Sequence, residues 1–416
     1  MSECGCSTHS GPVPLKPLEE ALELLLGHAR PVAGTERVAV SAALGRVLSE
    51  PVVSRITMPP WDNSAMDGYA VNTADLGQPG VRLPVSQRIP AGVAGEPLQP
   101  GTAARIFTGA PVPENADAVV IQEVCRADGD GVVIEQVPEP GANIRRAGED
   151  IRSGDEVLAA GTRIGPQHMG LLASVGLAEV PVHRRVRVAL FSSGDELVMP
   201  GEPLGPGQIY NSNEFTLEGL LRNIGCEVVK LGIVEDTFDA TCDALSRAAA
   251  QADLVMTSGG VSVGEEDHLK PAVEKLGSLD LWKIAIRPGK PLAFGHIDGV
   301  PYIGTPGNPV SLFVTYCLFA RPFIMKQQGI TGDLAPVALE APIDFDWPRP
   351  DKRREFARAR LQRDASGEPV ISVYRSRSSG VLSSLAWANG LAILPESTPL
   401  KRGDRVRFLP FSELLS

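Results

Sequence analysis

The chain has 416 residues, a net charge of -11, and an ordinary globular balance of 43% hydrophobic and 21% charged residues. That length suits about two to four domains, and the acidic balance argues against a nucleic-acid surface, which carries a basic stripe. No run reaches the roughly 18 uninterrupted apolar residues of a membrane helix; the best, Val310 to Ala320, stops at Arg321-Pro322.

In chain order, residues 1 to 14 form a polar tail with Cys4, Cys6 and His9 in a CxC…H patch, which fits a frayed terminus better than a metal site. No basic segment leads into an apolar core there, so no secretory signal is expected and a cytoplasmic location fits. Leu18, Leu22 and Leu25 mark one face of a first helix. Val40, Leu44, Val47 and Leu48 predict a second, ending before Pro51. From about 58 to 145 glycine and proline are frequent and apolar runs are short: Val81 to Val85, Ala103 to Phe107, Ala118 to Ile121, Val132 to Val137. That texture predicts a β-rich module with tight turns. Gly141 to Gly161 leads back to a helix near His168 to Val175. The expected division is a discontinuous linking domain, 15–57 with 145–184, interrupted by the module at 58–144.

From Arg185 strand and helix alternate: strand Val186 to Phe191, helix Glu214 to Ile224, strand Glu227 to Ile233, helix Phe238 to Gln251. Strand Leu254 to Met256 and its helix follow, then Leu281 to Ile286, Tyr302-Ile303, and helix Pro309 to Phe319. This predicts a three-layer α/β domain over 185–330 with a mostly parallel sheet, which takes ligands at the carboxyl ends of its strands. Short strands beyond 330 (Val337 to Ile343, Phe356 to Leu361, Val370 to Tyr374, Leu391 to Leu394, Arg405 to Leu409) predict a small C-terminal β barrel or sandwich over 331–416. Cys125, Cys226, Cys242 and Cys317 fall within these elements and read as core thiols.

The chain is organised around Ala252 to Lys270. A buried strand passes into the glycine loop Gly259-Gly260-Val261-Ser262-Val263-Gly264, then into Glu265, Glu266 and Asp267 at a helix start. Glycines let the backbone approach an anion, and free N–H groups with the helix dipole favour negative charge. Three carboxylates would repel bare phosphate, so they read as partners of a bridging Mg²⁺; acids also suit a first helical turn by themselves, and the loop alone leaves both readings open. Ser192-Ser193-Gly194-Asp195-Glu196 follows one strand and Gly304-Thr305-Pro306-Gly307-Asn308 another. All three loops would open on one edge, which points to a phosphate and metal site. Lys283, Arg287 and Lys290 add three cations within eight residues, with Lys283 and Arg287 expected at the two ends of one strand of this sheet. Arg grips phosphate through paired hydrogen bonds and Lys acts as a point charge.

Outside that domain, Pro59 to Val71 (PPWDNSAMDGYAV) is polar, aromatic and dense in small residues, fit for Asx turns or for an oxyanion or metal. Ile106 to Pro113 places Thr108 at a loop apex. His168, His183 and His296 have no partner at ligand spacing. There is no GxSxG, HExxH or GxxxxGK[ST] motif, so electrostatic and metal-assisted chemistry is expected without a covalent enzyme intermediate.

Taken together and in order, DNSAMDGYAV, FTGAPVP, SSGDELV, SGGVSVGEEDHLK, IRPGKPLAFG and GTPGNPVS resemble the molybdopterin molybdenumtransferases, bacterial counterparts of the gephyrin E domain. The resemblance covers about residues 15 to 416. It implies an elongated homodimer that takes adenylylated molybdopterin and molybdate, cleaves the pyrophosphate link with Mg²⁺, and releases AMP and molybdenum cofactor, with the molybdopterin adenylyltransferase as a further partner. It also implies roles. Gly259, Gly260, Ser262 and Gly264 would cradle phosphate, with Ser193, Pro306, Gly307 and Asn308 on the neighbouring strand ends binding substrate. Glu196, Asp236 and Asp267 would manage the metal and the phosphoryl group, Glu196 and Asp267 as metal ligands. Lys283, Arg287 and Lys290 would neutralise phosphate or molybdate. Asp62 and Thr108 would reach across from the other subunit. Arg353 or Arg358, with Ser379, would line a molybdate pocket. Arg287 departs from relatives with lysine there, which leaves its role open. Two rivals are the adenylyltransferase, which would carry a GGTG-type loop and no long β module, and a non-catalytic gephyrin-like scaffold, which has no use for carboxylates at three strand ends.

Overall fold

Strands buried on both faces have no polar side to show, and the middle of this chain supplies them. The computed structural model describes residues 15–259, 268–289 and 291–416. Cys4, Cys6, His9, Gly260, Ser262, Gly264, Glu265, Glu266, Asp267 and Lys290, singled out above, lie outside the described residues. The α/β domain runs β1 (Arg187–Ser193), α1 (Ser212–Asn223), β2 (Glu227–Val234), α2 (Phe238–Ala249), β3 (Leu254–Ser258), α3 (Leu269–Leu276), β4 (Gly277–Lys283), β5 (Pro291–Ile297), β6 (Val300–Thr305) and α4 (Pro309–Thr315). The sheet order is β2-β1-β3-β6-β5-β4. The first four of these are mutually parallel, and β5 and β4 run antiparallel at one side.

Alternation along the strands feeds two cores. Val188, Leu190, Leu254 and Met256 pack with Leu217 and Leu221 of α1 and Leu312 and Val314 of α4. Ala189, Phe191 and Val255 pack with Leu245 and Ala248 of α2 and Val273 of α3. From β1 the chain winds to β2 on one side, then crosses to β3 on the other. In such sheets the crevice at the carboxyl ends beside this reversal is where ligands sit.

The N-terminal helix, Leu18–His28, buries Ala21 and Leu25 in the α/β core beside Phe323, although its place in the chain groups it with the linking segments. The linking segments share another core, with Val40, Leu48 and Val52 against Ile164, Leu172, Val180 and Val182. Strands Thr35–Ala39 and Glu179–His183 pair within it. Between them sits a six-stranded sheet spanning Gly68 to Ile134. The chain enters and leaves this module on paired threads: Asn63-Ser64 lies antiparallel to Ile144-Arg145, and Met58 bridges Ile151.

In the C-terminal part, Arg354–Arg363 pairs with Pro369–Val373 on one side and Gly390–Leu394 on the other. Arg405–Pro410 and Leu339–Pro342 continue the sheet, and Ile343 bridges Ile371. No described helix is long and apolar enough to cross a membrane.

Three expectations are corrected. The helix predicted through Val40, Leu44, Val47 and Leu48 is only a single 3₁₀ turn, Val40–Ala42. Val47 and Leu48 instead make bridges to Arg163 and Val182, so tertiary pairing overrides the helical spacing. The helix from Pro309 does not stop near Phe319: a π turn at Tyr316–Ala320 leads into Arg321–Gln327, and Pro322 is tolerated in the first turn of that last segment. Leu281 to Ile286 is not one strand. β4 ends at Lys283, and Ile286-Arg287 pairs in parallel with Arg354-Glu355 of the C-terminal sheet. Arg287 therefore belongs to the seam between two domains and not to the central sheet.

Candidate active site

Because β1, β3 and β6 are parallel, the loops after Ser193, Ser258 and Thr305 emerge together. They enclose a cavity of about 360 Å³ whose lining includes Ser193, Glu196, Asn213, Gly259, Asn308 and Gly380. Gly259 holds φ +92, a left-handed conformation costly for a side-chain-bearing residue, and its N–H donates to Thr305 O at 3.0 Å. A Cβ on Gly307 would lie 3.8 Å from the Gly259 Cα, so the two glycine turns approach backbone to backbone.

The carboxylate of Glu196 has a wall position and no hydrogen-bond or ion-pair partner among the described residues. It folds over Gly194, where an added Cβ would sit 2.5 Å from Oε2. Asp236, just past β2, joins the same edge by accepting a hydrogen bond from Ser193 Oγ at 3.1 Å.

The residues before α1 contribute most that sequence reasoning missed. Asn211 caps α1, its Oδ1 accepting the Glu214 N–H at 3.3 Å. Asn213 bridges the two glycine turns, its Nδ2 donating to Ser258 Oγ at 2.8 Å and to Gly307 O at 2.7 Å. A carbonyl can only accept, so these bonds fix which end of the amide is nitrogen. Asn213 Oδ1 is then buried without a partner among the described residues. The available signal was the Asn-Ser-Asn run, a helix start with more polar groups than one cap needs.

The C-terminal domain supplies the opposite wall through Gly380 and Leu382. Ser379 is tied to α4, its carbonyl accepting the Val310 N–H at 3.0 Å. Arg358 is buried at 2% exposure and donates to Ser384 Oγ at 3.0 Å, Ser376 O at 2.6 Å and Ser378 O at 3.0 Å. It clamps the 376–380 loop in place. Arg353 and Arg287 share Asp351, at 3.1 and 2.8 Å, and Arg287 also lies 3.9 Å from Glu355. The hydrogen bond from Arg353, reinforced by Arg287 and opposed by burial, holds the Asp351 carboxyl well below the usual carboxylate range. Lys283 ends β4, and its side chain has no partner among the described residues.

The structure thus gathers Ser193, Glu196, Asp236, Gly259, Gly307 and Asn308 at one edge, with Pro306 in the same turn and Ser379 beside the wall. Asp62 and Thr108 are not among the residues lining this cavity in the same chain. Asp62 accepts from the Ala147 N–H at 2.8 Å and from Arg146 at 2.5 Å. The Ala147 bond, helped by Arg146, keeps its carboxyl below the usual range. Thr108 donates from N and Oγ1 to Asp67, both at 2.8 Å. Burial pushes the Cys226 and Cys317 thiols up to about 12, so both are protonated packing groups.

Residues 16–176 match the MoeA N-terminal region (domain I and II), 189–326 a probable molybdopterin binding domain, and 340–411 the MoeA C-terminal region (domain IV). The chain is 40% identical over 387 residues to the molybdopterin molybdenumtransferase of Haemophilus influenzae, covering 92% of this chain and 95% of that one. It is 42% identical over 373 residues to molybdopterin molybdenumtransferase 2 of Mycobacterium tuberculosis, covering 86% and 90%. The crystal structure of the molybdopterin biosynthesis moeA protein of Pyrococcus horikoshii superposes with a TM-score of 0.82 at 30% identity, covering 95% of this chain and all of that one. The chain belongs to the molybdopterin molybdenumtransferase family, transferases of molybdenum cofactor biosynthesis.

Proposed function

We propose that the cavity at the strand ends binds adenylylated molybdopterin, that molybdate enters as the second substrate, and that hydrolysis of the pyrophosphate link releases AMP as molybdenum is inserted. The observation that carries this reading is an uncommitted carboxylate in a cavity bounded by two glycine turns. The Glu196 carboxylate has no partner among the described residues and lines the cavity where two glycine turns meet, turns that Asn213 ties together through Ser258 and Gly307. Backbone donors at the Gly307 turn would take phosphate oxygens, the Gly259 N–H being already given to Thr305 O. The clamped 376–380 loop would hold molybdate against Ser379.

Mg²⁺ is held by one or two carboxylates plus substrate phosphates and water, in preference to an all-protein cage. Glu196, the carboxylate on the cavity wall, is a hard oxygen donor without a partner among the described residues, which suits that mode. Glu196 would be one ligand, with Asp267, outside the described residues, the expected second. A bound Mg²⁺ would supply charge stabilisation at the phosphoryl oxygens. Asp236 would orient Ser193 by accepting its hydrogen bond, and Lys283 would add counter-charge.

We read the active assembly as a homodimer in which Asp62 and Thr108 complete the other subunit's cavity. Trp61 and Met66 flank Asp62 and are about half exposed in the single chain, as expected of a surface that a second copy covers. We also read the C-terminal strands as a small barrel closed through Ile343 and Ile371. AMP release from adenylylated molybdopterin with molybdate and Mg²⁺ tests the activity; no AMP above background would remove it. Mixing inactive Asp62→Ala and Glu196→Gln subunits tests the shared site, because a mixed dimer regains one intact cavity. A mixture no more active than either variant would leave each cavity to one chain.

A further inference from the structure

The opposite edge of the same sheet holds a second cleft. It measures about 520 Å³ and is lined by Gly45 and Arg163 from the linking domain and by Arg185, Arg222 and Gly225 from the α/β domain. Arg185 precedes β1 and Gly225 precedes β2, so the cleft lies at the amino ends of these strands, away from the substrate cavity. Three arginines line it in a chain whose net charge is -11.

Their neutralisation is incomplete. Arg222 is paired with Glu218 at 2.8 Å and stands on the last turn of α1, where it offsets the negative end of that helix. Arg185 gives one N–H to Gly225 O at 2.8 Å and has no carboxylate partner among the described residues. Arg163 is half-buried, and its side chain makes no hydrogen bond or ion pair among the described residues. Burial draws its guanidinium below the usual value. Leaving such a group unpaired is costly, and each guanidinium offers five donors. A Cβ on Gly225 would lie 3.2 Å from Arg185 Nη1, so the glycine lets this guanidinium lie against the turn.

We propose that this cleft is an anion site for a phosphate group, gripped by Arg163 and Arg185 across the joint between the linking and α/β domains. Two planar forks suit phosphate oxygens, and the volume lies within the range of small-ligand pockets. The bound anion ties the two domains together. Its source is either free orthophosphate or the phosphate of a nucleotide.

Calorimetric titration of the full chain at low salt tests this, with orthophosphate and AMP as separate probes. The expected result is saturable orthophosphate binding that Arg163→Gln weakens on the order of tenfold or more and Glu196→Gln leaves unchanged. AMP that loses its binding with the same Arg163 variant identifies a nucleotide phosphate as occupant, whereas AMP that keeps it points to orthophosphate here. Arg163→Lys guards against a folding defect: it keeps the charge and loses the fork, and is expected to bind several-fold more weakly than the parent. Equal titration of parent and an Arg163→Gln/Arg185→Gln double variant, or no heat up to on the order of 10 mM orthophosphate, overturns the site.

Discussion

Two regions of this molecule carry dense charge in the sequence and use it in opposite ways. At the seam, Arg287, Arg353 and Arg377 saturate Asp351 and Glu355, with Arg377 3.1 Å from one Glu355 oxygen. At the strand ends, the Glu196 carboxylate is left without a partner among the described residues. The first pattern stabilises a joint, and the second leaves room for a ligand. Charge density alone does not separate structure from site; the state of the hydrogen bonds does.

The contrast can be broken most forcefully at Glu196. Glu196→Gln should lower kcat by about 3 kcal/mol or more of transition-state stabilisation without moving the melting temperature; a large fall in melting temperature would make it a structural residue. Asp351→Asn should do the converse, lowering stability by about 2 kcal/mol near neutral pH. Because its folded-state pKa is depressed, Asp351 stabilises the fold above its unfolded value, and the contribution is lost as pH falls through the folded value. Urea unfolding should therefore show parent and variant converging below about pH 4, and a constant gap would refute the assignment. Asn213→Ala should raise KM on the order of tenfold by releasing the tie between the two glycine turns, with a smaller change in kcat. Gly194→Ala is the mildest for catalysis: it pushes the Glu196 carboxylate aside and should cost about 1 kcal/mol in kcat/KM, recovered in part by raising the Mg²⁺ concentration, while strain at φ +151 lowers the melting temperature as well.

The parallel strands and the common edge of their loops were legible because buried strands are continuously apolar and glycine turns punctuate them. Arg287 was misplaced because Lys283 to Arg287 looks like one apolar strand with a cation at each end, while the chain changes sheets between Lys283 and Ile286. Asn213 escaped notice because a polar residue at a helix start usually only caps it. Its bonds to Ser258 and Gly307 join positions 45 and 94 residues away, which no local pattern reveals. The helical spacing of Val40 to Leu48 failed for the same reason, since bridges to Arg163 and Val182 fix those residues from afar.

The doubled neck of the inserted module has a practical meaning. With Met58 opposite Ile151 and Asn63 opposite Arg145, the incoming and outgoing threads run side by side, about 5 Å apart where they pair. The intervening stretch can therefore be excised and the stumps rejoined by a tight turn of about two to five residues. The truncated protein would keep its Glu196 edge while lacking every atom that the module could lend to a second copy, and the liberated piece could be studied as a separate body.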